Sequence, residues 1–96
     1  MITRDDIFKR RDEIIALAKR YGASDIRIFG SVARGDADEN SDLDLTVRFE
    51  PGRSLFDHGG LVMDLRELFG MRVDVIDEEA MRPRFREHVM KESVPL

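Results

Sequence analysis

Apolar residues along this chain take up helical and strand spacing by turns. Ile7, Phe8, Ile14, Ile15, Leu17 and Ala18 keep helical spacing to about Arg20, with Thr3 as N-cap and Asp5 and Asp6 in the first turn, and Tyr21-Gly22 ends the pattern. Ile26, Ile28 and Phe29 predict a short strand that stops at Gly30, and Ser31 to Arg34 allow one helical turn before Gly35. A polar loop over 36–41 leads into a strand over 42–49, which Glu50-Pro51-Gly52 closes. Leu61, Val62, Leu65, Leu68 and Phe69 define an amphipathic helix ended by Gly70 as its C′ residue; its start stays open, because His58-Gly59-Gly60 reads as a loop or as a weak first turn. A third strand is predicted over 72–76. Asp77 is placed as the cap of a final helix to about Glu92, with Pro83 in its first turns or breaking it. The resulting order, αβ(α)βαβα, is an α/β layout in which helices flank a small sheet.

Size and composition narrow the class. Ninety-six residues predict one domain over 1–96, and 42% hydrophobic with 38% charged residues is a globular composition. No apolar run approaches the roughly 18 residues of a membrane helix, and the charged start Met1-Ile2-Thr3-Arg4-Asp5-Asp6 does not read as a signal peptide. With no cysteine there is no disulfide framework or thiolate metal site, and the expected location is the cytoplasm. A net charge of −4 argues against long nucleic acid as a partner, since backbone binding draws chiefly on Lys and Arg.

The chemistry lies in three short stretches. On a strand, residues i and i+2 share a face, so Asp42 and Asp44 project side by side while Leu43 and Leu45 face the core. Two carboxylates held close repel each other, and a cation between them is the physical reason to place them so. Asp74, between inward-facing Val73 and Val75, offers a third acid from another strand, placed to ligate a second cation and to accept the proton of an attacking hydroxyl. Mg²⁺ favours a few carboxylate oxygens combined with phosphate oxygens, and paired ions can clamp both the attacking and the leaving oxygen of a phosphoryl transfer. Gly30-Ser31, at a strand-to-helix turn, allows close backbone approach and free N–H groups for phosphate, and Arg34 stands one turn later, within reach of a phosphate or of the aspartates. Singly these are ordinary features: a turn, a solvated strand face, an edge-strand charge. Their conjunction on successive elements points to a nucleoside triphosphate site. A P-loop is excluded, because Asp36-Ala37 follows Gly35 where Lys-Ser/Thr is required.

Gly30-Ser31-Val32-Ala33-Arg34-Gly35, Ser41-Asp42-Leu43-Asp44-Leu45 and Val73-Asp74-Val75 resemble the signature of the DNA polymerase beta nucleotidyltransferase superfamily, and the chain's size resembles its minimal nucleotidyltransferase (MNT) branch. The resemblance runs over nearly the whole chain, including the closing Glu92-Ser93-Val94-Pro95-Leu96. It implies a polymerase-beta-like fold on a small mixed sheet. It further implies that Gly30 and Ser31 contact the triphosphate of ATP, that Asp42 and Asp44 bind two Mg²⁺ ions, and that Asp74 completes the catalytic and metal site. Members of this branch resemble antitoxins that transfer AMP from ATP to a tyrosine hydroxyl of a HEPN toxin, with which they can form a hetero-oligomer. The alternatives are a docking module that neutralises its partner without chemistry and an enzyme that modifies a small-molecule hydroxyl.

The remaining polar residues carry plainer expectations. His58 and His88 lack ligand spacing and read as satisfied or exposed polar groups. Arg82, Arg84, Arg86 and Lys91 read as a solvated face or, with Phe85, Val89 and the apolar Val94-Pro95-Leu96 end, as a docking surface. Asp77, Glu78 and Glu79 suit the positive end of the last helix.

Overall fold

The computed structural model describes all residues, Met1–Leu96. Five helices, α1 (Arg4–Lys9), α2 (Arg11–Arg20), α3 (Gly30–Arg34), α4 (Leu55–Phe69) and α5 (Pro83–Glu92), accompany four strands, β1 (Ala23–Phe29), β2 (Leu43–Phe49), β3 (Val73–Asp77) and β4 (Val94–Pro95). The sheet order is β3-β2-β1-β4. Its pairing is mixed, as expected: β2 runs parallel to β3 and antiparallel to β1, which pairs antiparallel with β4.

The core forms on one face of this sheet. Ile28 of β1, Leu43, Leu45 and Val47 of β2, and Val73 and Val75 of β3 meet Ile7, Ile14 and Ala18 of the first helices and Leu61 and Leu65 of α4. Alternation along β2 therefore sends Asp44, Thr46 and Arg48 to the opposite face. There Phe85 of α5 meets Phe29 edge-on, with centroids 6.4 Å apart. A buried carboxylate, Glu78, pairs with Arg48 of β2 and Arg86 of α5 and ties the helix down.

The structure corrects two expectations, the unbroken first helix and Asp77 as cap of the last one, and it fixes the start of α4 and the form of the tail. The first helix is broken at Arg10 (φ −108°, ψ 18°), whose guanidinium donates to Leu68 O at 2.8 Å and sits over the Phe69 ring. No Gly or Pro marks this break, and Ile7 and Ile14 are buried on both sides of it. Helix α4 starts earlier than its apolar stripe, at a capping box in which Ser54 and Asp57 satisfy each other's backbone N–H groups. Gly60 lies inside this helix, at a position where a Cβ would meet the Tyr21 ring at 2.5 Å. Asp77 caps only a 3-10 turn, Glu78–Ala80, and α5 begins at Pro83, whose fixed φ and missing N–H suit the first helical position. Finally, the tail is a strand: Val94 and Pro95 pair with Ile28 and Arg27, and Leu96 N donates to Ile26 O at 3.0 Å. Val89 is fully buried. It therefore belongs to no docking surface, whereas Val94 is part-buried, Pro95 is exposed and Phe85 is half exposed.

Candidate active site

The site lies where β1 ends and β2 and β3 begin. Asp44 and Asp74 are register partners on the parallel pair β2–β3, so their side chains leave the sheet on one face about 4.8 Å apart at the backbone. Leu43 and Leu45 beside Asp44, and Val73 and Val75 beside Asp74, are buried on the other face and fix this orientation. Asp42 precedes the first paired residue of β2, and Leu43 N donates to Arg72 O at 3.1 Å, which sets Asp42 next to Arg72. The three acids predicted to converge do share one edge of the sheet.

Gly30 closes the site from the β1 side. The strand turns into α3 at this residue with φ +74°, and a Cβ here would lie 2.6 Å from Asp44 Oδ2. Glycine is thus demanded twice, by backbone conformation and by the carboxylate beside it. Ser31 follows in the first turn of α3, and Gly35 ends that helix in the left-handed region. Arg34 is half exposed and pairs with Asp36 at 3.3 Å rather than with the three acids, although its charge reaches Asp44.

Electrostatics single out Asp44. Burial first, then the charges of Asp74 and Asp42, push its carboxyl above the usual carboxylate range, and Arg34 offsets part of the rise. Two guanidinium groups counter the cluster. Arg72 Nε stands 3.6 Å from both Asp42 Oδ2 and Asp74 Oδ1, and Arg66 Nη2 stands 3.6 Å from Asp74 Oδ1. As the side chains stand, no three carboxylates or imidazoles are gathered tightly enough to hold an ion outright. The donor set nevertheless suits a hard divalent cation: it is all oxygen, it crowds like charges around a partly buried Asp44, and Gly30 leaves room for that carboxylate.

Arg66 and Arg72 were not among the residues singled out by sequence. Arg72 was within reach of the strand period, being two residues before Asp74 and so on its face. Arg66 belongs to α4 and meets Asp74 only through tertiary packing. His58 proves to be a satisfied polar group, with Nε2 2.7 Å from Val75 O. His88 is exposed beside Glu92.

Comparison with known proteins identifies the family. Protein adenylyltransferase MntA of Thermococcus cleftensis is 37% identical over 78 residues, covering 81% of this chain and 79% of its own. A Methanocaldococcus jannaschii protein named provisionally as protein adenylyltransferase MJ0435 is 35% identical over 82 residues, covering 85% of this chain and 88% of its own. Among solved structures, one described provisionally as a minimal nucleotidyltransferase superposes with a TM-score of 0.89 at 47% identity, covering 99% of this chain and 97% of its own. A toxin-antitoxin crystal structure with AMP-PNP shares the fold, with a TM-score of 0.75 at 22% identity over 88% of this chain and 69% of its own. The profile of the nucleotidyltransferase domain matches residues 11–96, and the chain belongs to that family.

Proposed function

We propose that this protein is a Mg²⁺-dependent adenylyltransferase that moves AMP from ATP onto a hydroxyl of a partner protein, a tyrosine of a HEPN-type toxin, and thereby acts as its antitoxin. The observation that carries the chemistry is the register pairing of Asp44 with Asp74, beside Asp42 and against Gly30. A module that only docks has no need to bury Asp44 between two like charges, whose mutual repulsion opposes folding. The names of the relatives at 35% and 37% identity support a protein acceptor, and the toxin-antitoxin neighbour with AMP-PNP supports the partner class and the nucleotide.

In this reading Asp42, Asp44 and Asp74 hold the divalent cations, which when bound neutralise phosphate charge in the transferring group. Gly30 and Ser31 receive the triphosphate through backbone N–H groups and the Ser31 hydroxyl, and Arg34 adds a positive charge on the same side. A carboxylate oxygen of Asp74 takes the proton of the acceptor hydroxyl as its oxygen attacks the α-phosphorus. The bond from that phosphorus to the bridging oxygen breaks, and pyrophosphate leaves.

Position-labelled ATP tests the reaction. With purified partner, label in the α-phosphate is expected on the partner and label in the γ-phosphate in free pyrophosphate. Transfer of the γ label instead would make the protein a kinase and overturn the assignment. Binding of the partner without any transfer would favour the docking reading.

A further inference from the structure

The two guanidinium groups beside the acids are held differently. Arg66 is anchored, since its Nε donates to Val73 O at 3.1 Å. The Arg72 side chain is 66% exposed, and its Nε lies 3.6 Å from both Asp42 and Asp74, beyond hydrogen-bond reach. It therefore holds these two carboxylates by charge alone, while its backbone is fixed by the bond from Leu43 N. An exposed cation on two of the three acids is a competitor for any divalent ion. It also carries a planar fork that matches phosphate oxygens, so a triphosphate offers it a better partner.

Given the assignment of Asp42, Asp44 and Asp74 as the cation-holding acids, we propose that Arg72 is a positioning residue that occupies Asp42 and Asp74 until nucleotide arrives, then moves its charge onto the triphosphate. Cation alone is thereby disfavoured, and cation and nucleotide bind together. Two exposed ion pairs of this kind correspond together to roughly a tenfold penalty on a competing cation. The coupling is reciprocal: whatever nucleotide adds to cation affinity, cation adds to nucleotide affinity.

Titration of the full chain with Mn²⁺, read by electron paramagnetic resonance with and without a non-hydrolysable ATP analogue, tests this. Arg72→Gln is expected to bind Mn²⁺ alone about tenfold more tightly than wild type. It is also expected to lose most of the affinity gain that the analogue produces. Arg72→Lys, which keeps the charge, is expected to bind Mn²⁺ alone as wild type does. Circular dichroism checks that both variants are folded, as the exposure of the side chain leads us to expect. Equal or weaker Mn²⁺ binding by Arg72→Gln, undetectable binding by both it and wild type, or tight binding by Arg72→Lys overturns the proposal. Asp44→Asn separates this from the underlying assignment. If Asp44→Asn binds Mn²⁺ as wild type does, the cation site itself is misassigned. If Asp44→Asn loses Mn²⁺ and Arg72→Gln matches wild type, only the role of Arg72 falls.

Discussion

The Asp44 carboxylate lies against the bare α-carbon of Gly30, where an added Cβ would sit 2.6 Å from Oδ2. Because the contact is with the end of a side chain, Asp44 can yield. Gly30→Ala is therefore expected to displace the carboxylate rather than to unfold the protein. The positive φ of +74° adds a backbone cost of about 1–2 kcal/mol. Urea unfolding should show a loss of that order, with nucleotidyl transfer falling far more than stability does. Full activity in this variant would mean that the approach of Gly30 to Asp44 is incidental.

Asp44 also gives the cation-free protein a pH dependence of definite sign. Its folded carboxyl is raised, by burial first and then by Asp74 and Asp42, so its contribution to stability is fully present below the ordinary aspartate range. That contribution is lost as pH rises through the raised value. Asp44→Asn removes this loss. Urea midpoints measured without divalent ions should show the variant gaining on wild type as pH climbs from 4 towards 7, then a plateau. A constant difference across that range would show that Asp44 ionises as an ordinary surface carboxylate.

The same variant should respond oppositely to ligand. Mg-ATP at about 100 times its dissociation constant stabilises a native state by about 2.7 kcal/mol. Wild type is expected to show the corresponding rise in Tm, and Asp42→Asn and Asp44→Asn little or none. Equal shifts in all three would place the nucleotide elsewhere.

Glu78 is the structural counterpart of these acids. Burial pushes its carboxyl up, but hydrogen bonds from Arg86 and Arg48, with the charge of Arg48, outweigh this and hold it below the usual glutamate range. Its stabilising contribution is present above that range and lost as pH falls through the lowered value. Glu78→Gln is expected to cost about 1.5–3 kcal/mol, the scale of hydrogen bonds to a charged group. The loosening should appear as faster hydrogen exchange in α5, which this pair ties to β2. Unchanged protection of α5 would assign its anchoring to Val89 and Phe85 instead.

How far the sequence reveals this molecule depends on the range of the forces involved. The period-2 alternation around Asp44 and Asp74 was legible because burial of Leu43, Leu45, Val73 and Val75 decides which way the strands face. The Gly30 turn was legible because glycine is the residue that takes a positive φ, +74° here, without strain. The break at Arg10 was not, since it depends on a carbonyl of Leu68 58 residues away. Strand β4 was hidden for a similar reason: Val94-Pro95 is too short to show a period and becomes a strand only by pairing with β1. Glu78 read as a helix-start charge because the guanidinium groups that bury it come from β2 and α5.

Intact-mass spectrometry of the proposed toxin partner after incubation with this protein and Mg-ATP, with Asp44→Ala as control, tests the central claim most directly. The account predicts an adenylyl adduct with wild type only, mapped to a tyrosine. An unmodified partner that is nevertheless neutralised, or an adduct formed equally by Asp44→Ala, would contradict it.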